Sequence, residues 1–208
     1  MTALQPESLA LVVLGIWMLG ITRLQTTIAF YSLHTIWLGL LALVLGWEGH
    51  EVHLALAGLA FLLLKGMALP LYLSHTSEKL GCRRDEGLAI GPPVLMMLTL
   101  GGLATLMLVQ PFQGLVPPTA EPGLALLLVG MLQMLTRRMA ISQIIGFLIL
   151  ENGLFLYTIS QPHSMPLIID MGVLLEVLMW TMMAGVLTFR IKDSFEHIDV
   201  SALKELHE

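Results

Sequence analysis

The stretch QIIGFLILENGLFLYTIS at residues 143–160 decides the fold class of this chain. It is apolar enough to cross a lipid bilayer as a helix, yet Glu151 lies near its middle. A second apolar stretch, LIIDMGVLLEVLMWTMMAGVLTF at residues 167–189, carries Glu176 at a similar depth. A charged carboxylate at the bilayer centre costs about 2.5–3.5 kcal/mol on insertion scales, so each glutamate needs an internal partner or a role in ion movement. The two stretches predict neighbouring membrane helices with buried acidic groups.

The composition of the whole chain agrees with this interpretation. Hydrophobic residues make up 56% of the 208 residues and charged residues 12%, and the mean hydropathy is +0.84. A soluble domain carries about 25% charged residues. A spanning helix needs about 20 apolar residues, and continuous apolar runs favour helices over a barrel. The runs lie near residues 7–23, 26–47, 53–74, 88–110, 122–137, 140–160 and 166–189. We therefore predict an all-α integral membrane protein with about seven transmembrane helices.

The positions of the basic residues predict the orientation of these helices. Outside the apolar runs, lysine and arginine follow only the odd-numbered runs. They are Arg23, Lys79, Arg83, Arg84, Arg137, Arg138, Arg190, Lys192 and Lys204. Since basic loops stay in the cytoplasm, the N-terminus is expected outside and the C-terminus inside, in a multi-pass protein of the inner (cytoplasmic) membrane. The pair Arg137–Arg138 is interpreted as a topology signal and interfacial anchor.

A Pro- and Gly-rich outer loop at 111–121 is expected to divide the chain into two parts. A four-helix part at 1–110 precedes it, and a three-helix part at 122–190 follows, before a cytoplasmic tail at 191–208. The first run lacks a basic n-region, so we expect a retained helix rather than a cleaved signal peptide.

Three further ionisable side chains within the apolar runs are candidate site residues. Lys65, in LALAGLAFLLLKGMALPLYL at residues 54–73, could pair with one of the carboxylates, relay protons, or pair with a neighbouring subunit. Pro70 is expected to disturb that helix and free backbone carbonyls. Asp170 and His34 are weaker relay candidates, because helix-end acids are usually solvated and a lone histidine in an apolar helix is usually only hydrogen-bonded.

Motifs for catalysis or cofactor binding are not found in the sequence. There is no phosphate-binding loop, dinucleotide fingerprint, zinc-protease motif or paired-cysteine motif. Cys82 is the only cysteine, so an internal disulfide or a thiolate cluster is not expected. We expect no catalytic residue, cofactor or metal in this chain, and a membrane enzyme is the least favoured class.

Two C-terminal stretches carry a resemblance to a known family. RRMAISQIIGFLILENGLFLYTIS (137–160) and IIDMGVLLEVLMWTMMAGVLTFRI (168–191), with the tail HIDVSALKEL (197–206), resemble the K subunit of respiratory complex I and the Mrp antiporter C subunit. With its four preceding helices and LLLKGMALPLYL before a basic loop, the whole chain is similar to component E of hydrogenase-4. The resemblance is most specific at LENG (150–153) and in the last helix and tail. The Arg pair lies about one helical turn further from Glu151 than in the complex I subunit.

This resemblance implies a non-catalytic membrane-arm subunit of a complex I-like energy-converting hydrogenase or formate hydrogenlyase. Glu151, Glu176 and Lys65 would contribute to proton (or Na⁺) translocation. The [NiFe] centre and iron–sulfur clusters would belong to partner subunits, and the neighbours would be antiporter-like and redox-arm anchoring subunits, with no nucleic acid. The alternatives are a structural spacer of the same arm, a subunit of an Mrp-type cation/proton antiporter, and an independent small permease.

Overall fold

The computed structural model describes residues 4–79, 81, 83–85, 90–109 and 116–161, and within these ranges the regular elements are all helical. The helices are α1 (Leu4–Gly20), α2 (Leu24–Glu48), α3 (Val52–Ala60), a π-helical segment (Phe61–Ala68), α4 (Leu69–Lys79), α5 (Pro92–Val109), α6 (Glu121–Thr136) and α7 (Ala140–Ile159). The predicted run at 166–189, with Asp170 and Glu176, lies outside the described residues.

Three of the described helices are long and apolar enough to cross a membrane. They are Leu24–Glu48 with 25 residues, Val52–Lys79 with 28, and Ala140–Ile159 with 20. The second of these is a continuous helix made of α3, the π-helical segment and α4, and it is called the third span because it corresponds to the third predicted run, at 53–74. At 1.5 Å per residue, about 20 residues match the hydrocarbon thickness of a bilayer. The prediction of an all-helical protein is confirmed for the described residues, with three helices that are long and apolar enough to cross a membrane. The shorter apolar helices are α1, α5 and α6.

The outer surface of the helices suits a hydrocarbon environment. Large apolar side chains are exposed along several of them, including Val13 on α1, Leu40 on α2, Leu71 on α4 and Met97 on α5. A water-soluble protein rarely exposes apolar side chains over so many neighbouring positions. The described helices bury many apolar side chains between them, and they also bury polar and charged ones, among them His34, Lys65, Glu151 and Asn152.

Glycines allow α6 and α7 to pack closely as an antiparallel pair. In each helix the two glycines are seven residues apart, Gly123 and Gly130 in α6 and Gly146 and Gly153 in α7. A Cβ atom on Gly146 would lie 3.1 Å from the carbonyl oxygen of Gly130, and one on Gly153 would lie 3.0 Å from that of Gly123. Small residues at such a crossing let membrane helices approach through their backbones.

A similar close crossing joins α2 to α3. Gly39 and Gly46 of α2 face Gly58 and Ala55, so that a Cβ on Gly58 would lie 2.8 Å from the carbonyl oxygen of Gly39. α7 also packs against α2. The third span and α7 therefore both lie against α2, and the polar side chains of all three helices meet inside the bundle.

Candidate functional site

A buried ion pair joins the third span to α7. Lys65 Nζ lies 3.1 Å from Glu151 Oε2, and the exposed fraction of the side chain is 0% for Lys65 and 6% for Glu151. Each charge alone would pay a large desolvation penalty in this interior, and their mutual attraction offsets part of it. The sequence had left open whether Lys65 pairs with a carboxylate, and the structure shows that it does, with Glu151.

Two aromatic rings lie beside the ion pair. The ammonium of Lys65 lies 4.3 Å from the centroid of the Phe61 ring. The Phe61 ring in turn stacks on Phe155 of α7, with centroids 4.0 Å apart and ring planes at 21°. Phe61 lies four residues before Lys65, and Phe155 four residues after Glu151, so each aromatic lies one helical turn from its charged neighbour. The rings shield one side of the pair from water and add a cation–π contact.

Pro70 gives a local reason for the irregular backbone around Lys65. A proline within a helix has no N–H to donate, and its ring clashes with the carbonyl four residues earlier, here that of Gly66. The Ser32 hydroxyl of α2 donates to the Gly66 carbonyl oxygen at 2.5 Å. Membrane helices tolerate proline where a neighbouring side chain satisfies the freed carbonyl in this way. The predicted disturbance at Pro70 is confirmed, and Lys65 lies within the π-helical segment that precedes it.

A second polar cluster lies on the adjacent face of α7. Asn152 Nδ2 donates to Thr35 Oγ1 at 2.8 Å and lies 3.2 Å from His34 Nδ1, and all three residues are buried. With this amide orientation Nδ1 accepts, so the neutral imidazole carries its proton on Nε2. The backbone of Leu11 in α1 lies beside the same ring. His34 is therefore hydrogen-bonded, and its relay role stays a prediction.

The two clusters form one buried polar layer. Consecutive residues of a helix point about 100° apart, so Glu151 faces the third span while Asn152 faces α2. The layer thus contains the titratable groups Lys65, Glu151 and His34, supplied by three different helices. Glu176 and Asp170 cannot be placed relative to it, because they lie outside the described residues.

Arg137 has a role that the sequence did not reveal. It is buried, and its Nη2 donates to the carbonyl oxygens of Leu19 at 2.9 Å and Ile21 at 2.7 Å, at the C-terminal end of α1. Burial lowers the pKa of its guanidinium and the Asp85 carboxylate raises it, but an arginine this basic stays protonated. Arg137 is thus bonded within the protein, and the interpretation of the arginine pair as a topology signal and interfacial anchor stays a prediction. Unpaired carbonyls and the negative end of the helix dipole draw the cation inward, whereas Arg138 is exposed.

The described residues contain no group of three or more His, Cys, Asp or Glu side chains placed to hold a metal ion. An apolar groove with a volume of about 380 Å³ lies beside α2. Its walls include Leu33, Trp37 and Leu40. At its rim the Trp37 indole N–H donates to the Glu7 carboxylate at 2.9 Å. The groove adds no chemical group to the buried polar layer.

The chain is similar to an uncharacterized protein of Mycobacterium tuberculosis, Rv0085. The two are 29% identical over 177 residues, which cover 82% of this chain and 80% of that protein. The similarity thus extends over most of both chains and is not confined to one apolar stretch. No protein-family model and no solved structure matches the chain. The name of this relative assigns it no function.

Proposed function

We propose that this chain is a non-catalytic membrane subunit that translocates protons through its buried Lys65–Glu151 pair. The observation that carries the proposal is the pair itself, two titratable groups 3.1 Å apart inside helices long enough to cross a membrane. Intramembrane ionisable residues are costly and commonly belong to ion or proton pathways. An ammonium–carboxylate pair and its amine–carboxylic acid counterpart differ only in the position of one proton. Burial disfavours both charges, which brings the two forms closer in free energy.

The neighbouring groups support a relay rather than an isolated contact. His34 belongs to the same polar layer through Asn152, the residue next to Glu151. In this proposal a change in charge at one end of the path shifts the proton between Lys65 and Glu151. Glu176 adds a second carboxylate from the predicted last helix, and Asp170 lies towards its outer end. H⁺ is taken as the coupling ion, with Na⁺ as the alternative.

The proposal includes a topology and an assembly. Seven spans, with the N-terminus outside and the C-terminus in the cytoplasm, are supported by the distribution of basic residues. The resemblance of LENG and of the last predicted helix and tail to component E of hydrogenase-4 supports a place in the membrane arm of a complex I-like hydrogenase. Redox chemistry would then occur in partner subunits that hold a [NiFe] centre and iron–sulfur clusters.

The decisive experiment measures proton pumping by the intact parent complex in vesicles. Wild type is compared with Glu151→Gln and Glu176→Gln, and Glu48→Gln, an exposed acid at the end of α2, is the matched control. Glu151→Gln is expected to lower the Tm of the chain, so pumping is measured at a temperature well below that Tm. There we expect assembly and redox activity to persist in all variants, while pumping collapses in the first two and is unchanged in the control. Assembly is checked by co-purification of the other subunits.

Close packing favours one alternative, a structural spacer. The glycine contacts between α6 and α7, and an ion pair that already compensates both charges, are what a rigid connecting element would also need. Pumping that survives both glutamate substitutions would establish this alternative and refute translocation by the carboxylates. An Mrp-type antiporter would be recognised by co-purifying antiporter subunits without a [NiFe] subunit.

A further inference from the structure

A polar pocket lies where α2 begins and α4 ends, away from the buried polar layer. Its volume is about 510 Å³, and its walls include Arg23, Arg83, Gln25, Ser77 and Glu78. Among the wall residues that the structure describes, two arginines and one glutamate give a net formal charge of +1. Both arginine side chains are exposed, so their charges are available to a ligand in the pocket.

Backbone hydrogen bonds fix the chain on which both arginines lie. The N–H of Leu24 donates to the carbonyl oxygen of Arg83 at 3.2 Å, and the N–H of Asp85 donates to that of Thr22 at 2.9 Å. Arg23 pairs with Arg84 in the same short antiparallel bridge. The chain turns back to make this bridge after α4, at Gly81, whose φ of 65° is a left-handed conformation that favours glycine.

The wall between the two helices is fixed by side chains. Gln25 Nε2 donates to Ser77 Oγ at 2.9 Å, and the hydroxyl of Ser74 donates to Gln25 Oε1 at 2.7 Å. The hydroxyl of Ser77 donates to the carbonyl oxygen of Ser74 at 2.8 Å. Gln25 also lies in the first turn of α2, where backbone N–H groups have no partner within the helix and the helix dipole favours anions. The pocket therefore joins two cations to a rigid polar wall.

We propose that this pocket binds the phosphate headgroup of an anionic phospholipid. Basic pockets at the ends of membrane helices recognise such headgroups by charge and hydrogen bonding. The adjoining surface of α4 is apolar, with Leu71 exposed by 70% and Tyr72 by 45%. These residues lie about two helical turns from Glu78, a distance over which acyl chains can follow the helix from a headgroup in the pocket. A soluble anion would use only the charged part of this surface, whereas a lipid uses both parts.

The test titrates the detergent-solubilised full chain with dioleoyl phosphatidylglycerol and, separately, with dioleoyl phosphatidylcholine. Bound lipids are counted by native mass spectrometry. We expect wild type to prefer the anionic lipid, and the double variant Arg23→Gln/Arg83→Gln to lose about 25-fold in affinity for it, about fivefold for each arginine. Arg138→Gln, an exposed arginine in another loop, is the matched control and should change the affinity less than twofold, a difference of about 0.4 kcal/mol.

A gain-of-binding variant guards against an effect of misfolding. Glu78→Gln removes the one acid among the described wall residues and should tighten phosphatidylglycerol binding several-fold. The proposal is overturned if the double variant binds phosphatidylglycerol as wild type does, or if Arg138→Gln loses as much affinity, because the attraction is then non-specific. Competition with inorganic phosphate distinguishes a lipid site from a free-anion site. If phosphate displaces the lipid at concentrations similar to those of the lipid, the pocket is a free-anion site and the lipid assignment is wrong.

Discussion

Replacing Lys65 with methionine should destabilise the protein by about 3–5 kcal/mol, because the change leaves Glu151 buried without its positive partner. The two side chains are 0% and 6% exposed, so bulk water has little access to the stranded carboxylate. Methionine is close to lysine in length and keeps apolar contact with Phe61, so the lost charge and not a cavity should dominate the effect. Glu151→Gln should cost a similar amount by stranding Lys65.

The double variant separates the ion pair from its surroundings. Lys65→Met/Glu151→Gln removes both charges together, and such neutral replacements of buried pairs are often close to neutral in stability. We therefore expect the double variant to be no less stable than either single variant. The coupling energy obtained from the four proteins should reach about 3 kcal/mol, the upper end for residues in contact.

The assay is thermal unfolding of the full chain in detergent micelles, followed through its four tryptophans. A chain of this size shifts its Tm by about 2–4 °C per kcal/mol, so each single variant should melt about 6–20 °C below wild type. Lys79→Met, at the exposed end of α4, is the control and should stay within about 0.5 kcal/mol of wild type. If the two single effects simply add in the double variant, within about 0.5 kcal/mol, the pair is not coupled and the reasoning is refuted.

Three other substitutions test the packing of the bundle by the same unfolding assay. Gly130→Ala should lower the free energy of unfolding by about 1–3 kcal/mol, because its Cβ meets the backbone of α7. Gly101→Ala, where a Cβ meets nothing within 4 Å, should instead raise it by up to about 1 kcal/mol. Equal effects of the two substitutions would contradict the close crossing of α6 and α7. Ser32→Ala should lose about 1–3 kcal/mol, since a buried carbonyl then lacks its donor, and an unchanged Tm would argue against that contact. Arg137→Gln should lower the free energy of unfolding by about 2–4 kcal/mol, because it removes the hydrogen bonds to the end of α1. Arg138→Gln should have little effect. Similar losses in the two variants would contradict a stabilising role of the Arg137 bonds.

The amino-acid pattern predicted the helical character and the positions of most described helices. Long apolar runs leave little choice, because a backbone in lipid must satisfy its own hydrogen bonds. Pro70 was also predictable, since a proline removes a donor wherever it falls in a helix. The partner of the freed carbonyl, Ser32, was not, because nothing in the local sequence says which part of α2 faces Gly66.

Other parts of the site depended on packing between helices. Within each of α6 and α7 the two glycines are seven residues apart. That spacing is a sequence signal for a close helix crossing, and it could have been recognised. The bonds of Arg137 to the end of α1 were not predicted, because an arginine after an apolar run is usually interpreted only as a mark of the membrane surface. Arg137 is buried because it lies against the C-terminal end of α1, and only the folded chain brings the end of α1 close to the end of α6.

The sequence by itself determined that this chain forms helices long and apolar enough to cross a membrane, with ionisable groups near the middle of two of them, since apolar length and charge position follow directly from the order of residues. Tertiary structure alone decided that Lys65 meets Glu151 and that Asn152 meets His34. The reason is that a contact between helices depends on how each helix is rotated about its own axis. Depth in a membrane follows from residue number, but the direction in which a side chain points around its helix matters only once neighbouring helices are placed, and close crossings at glycines set that placement here.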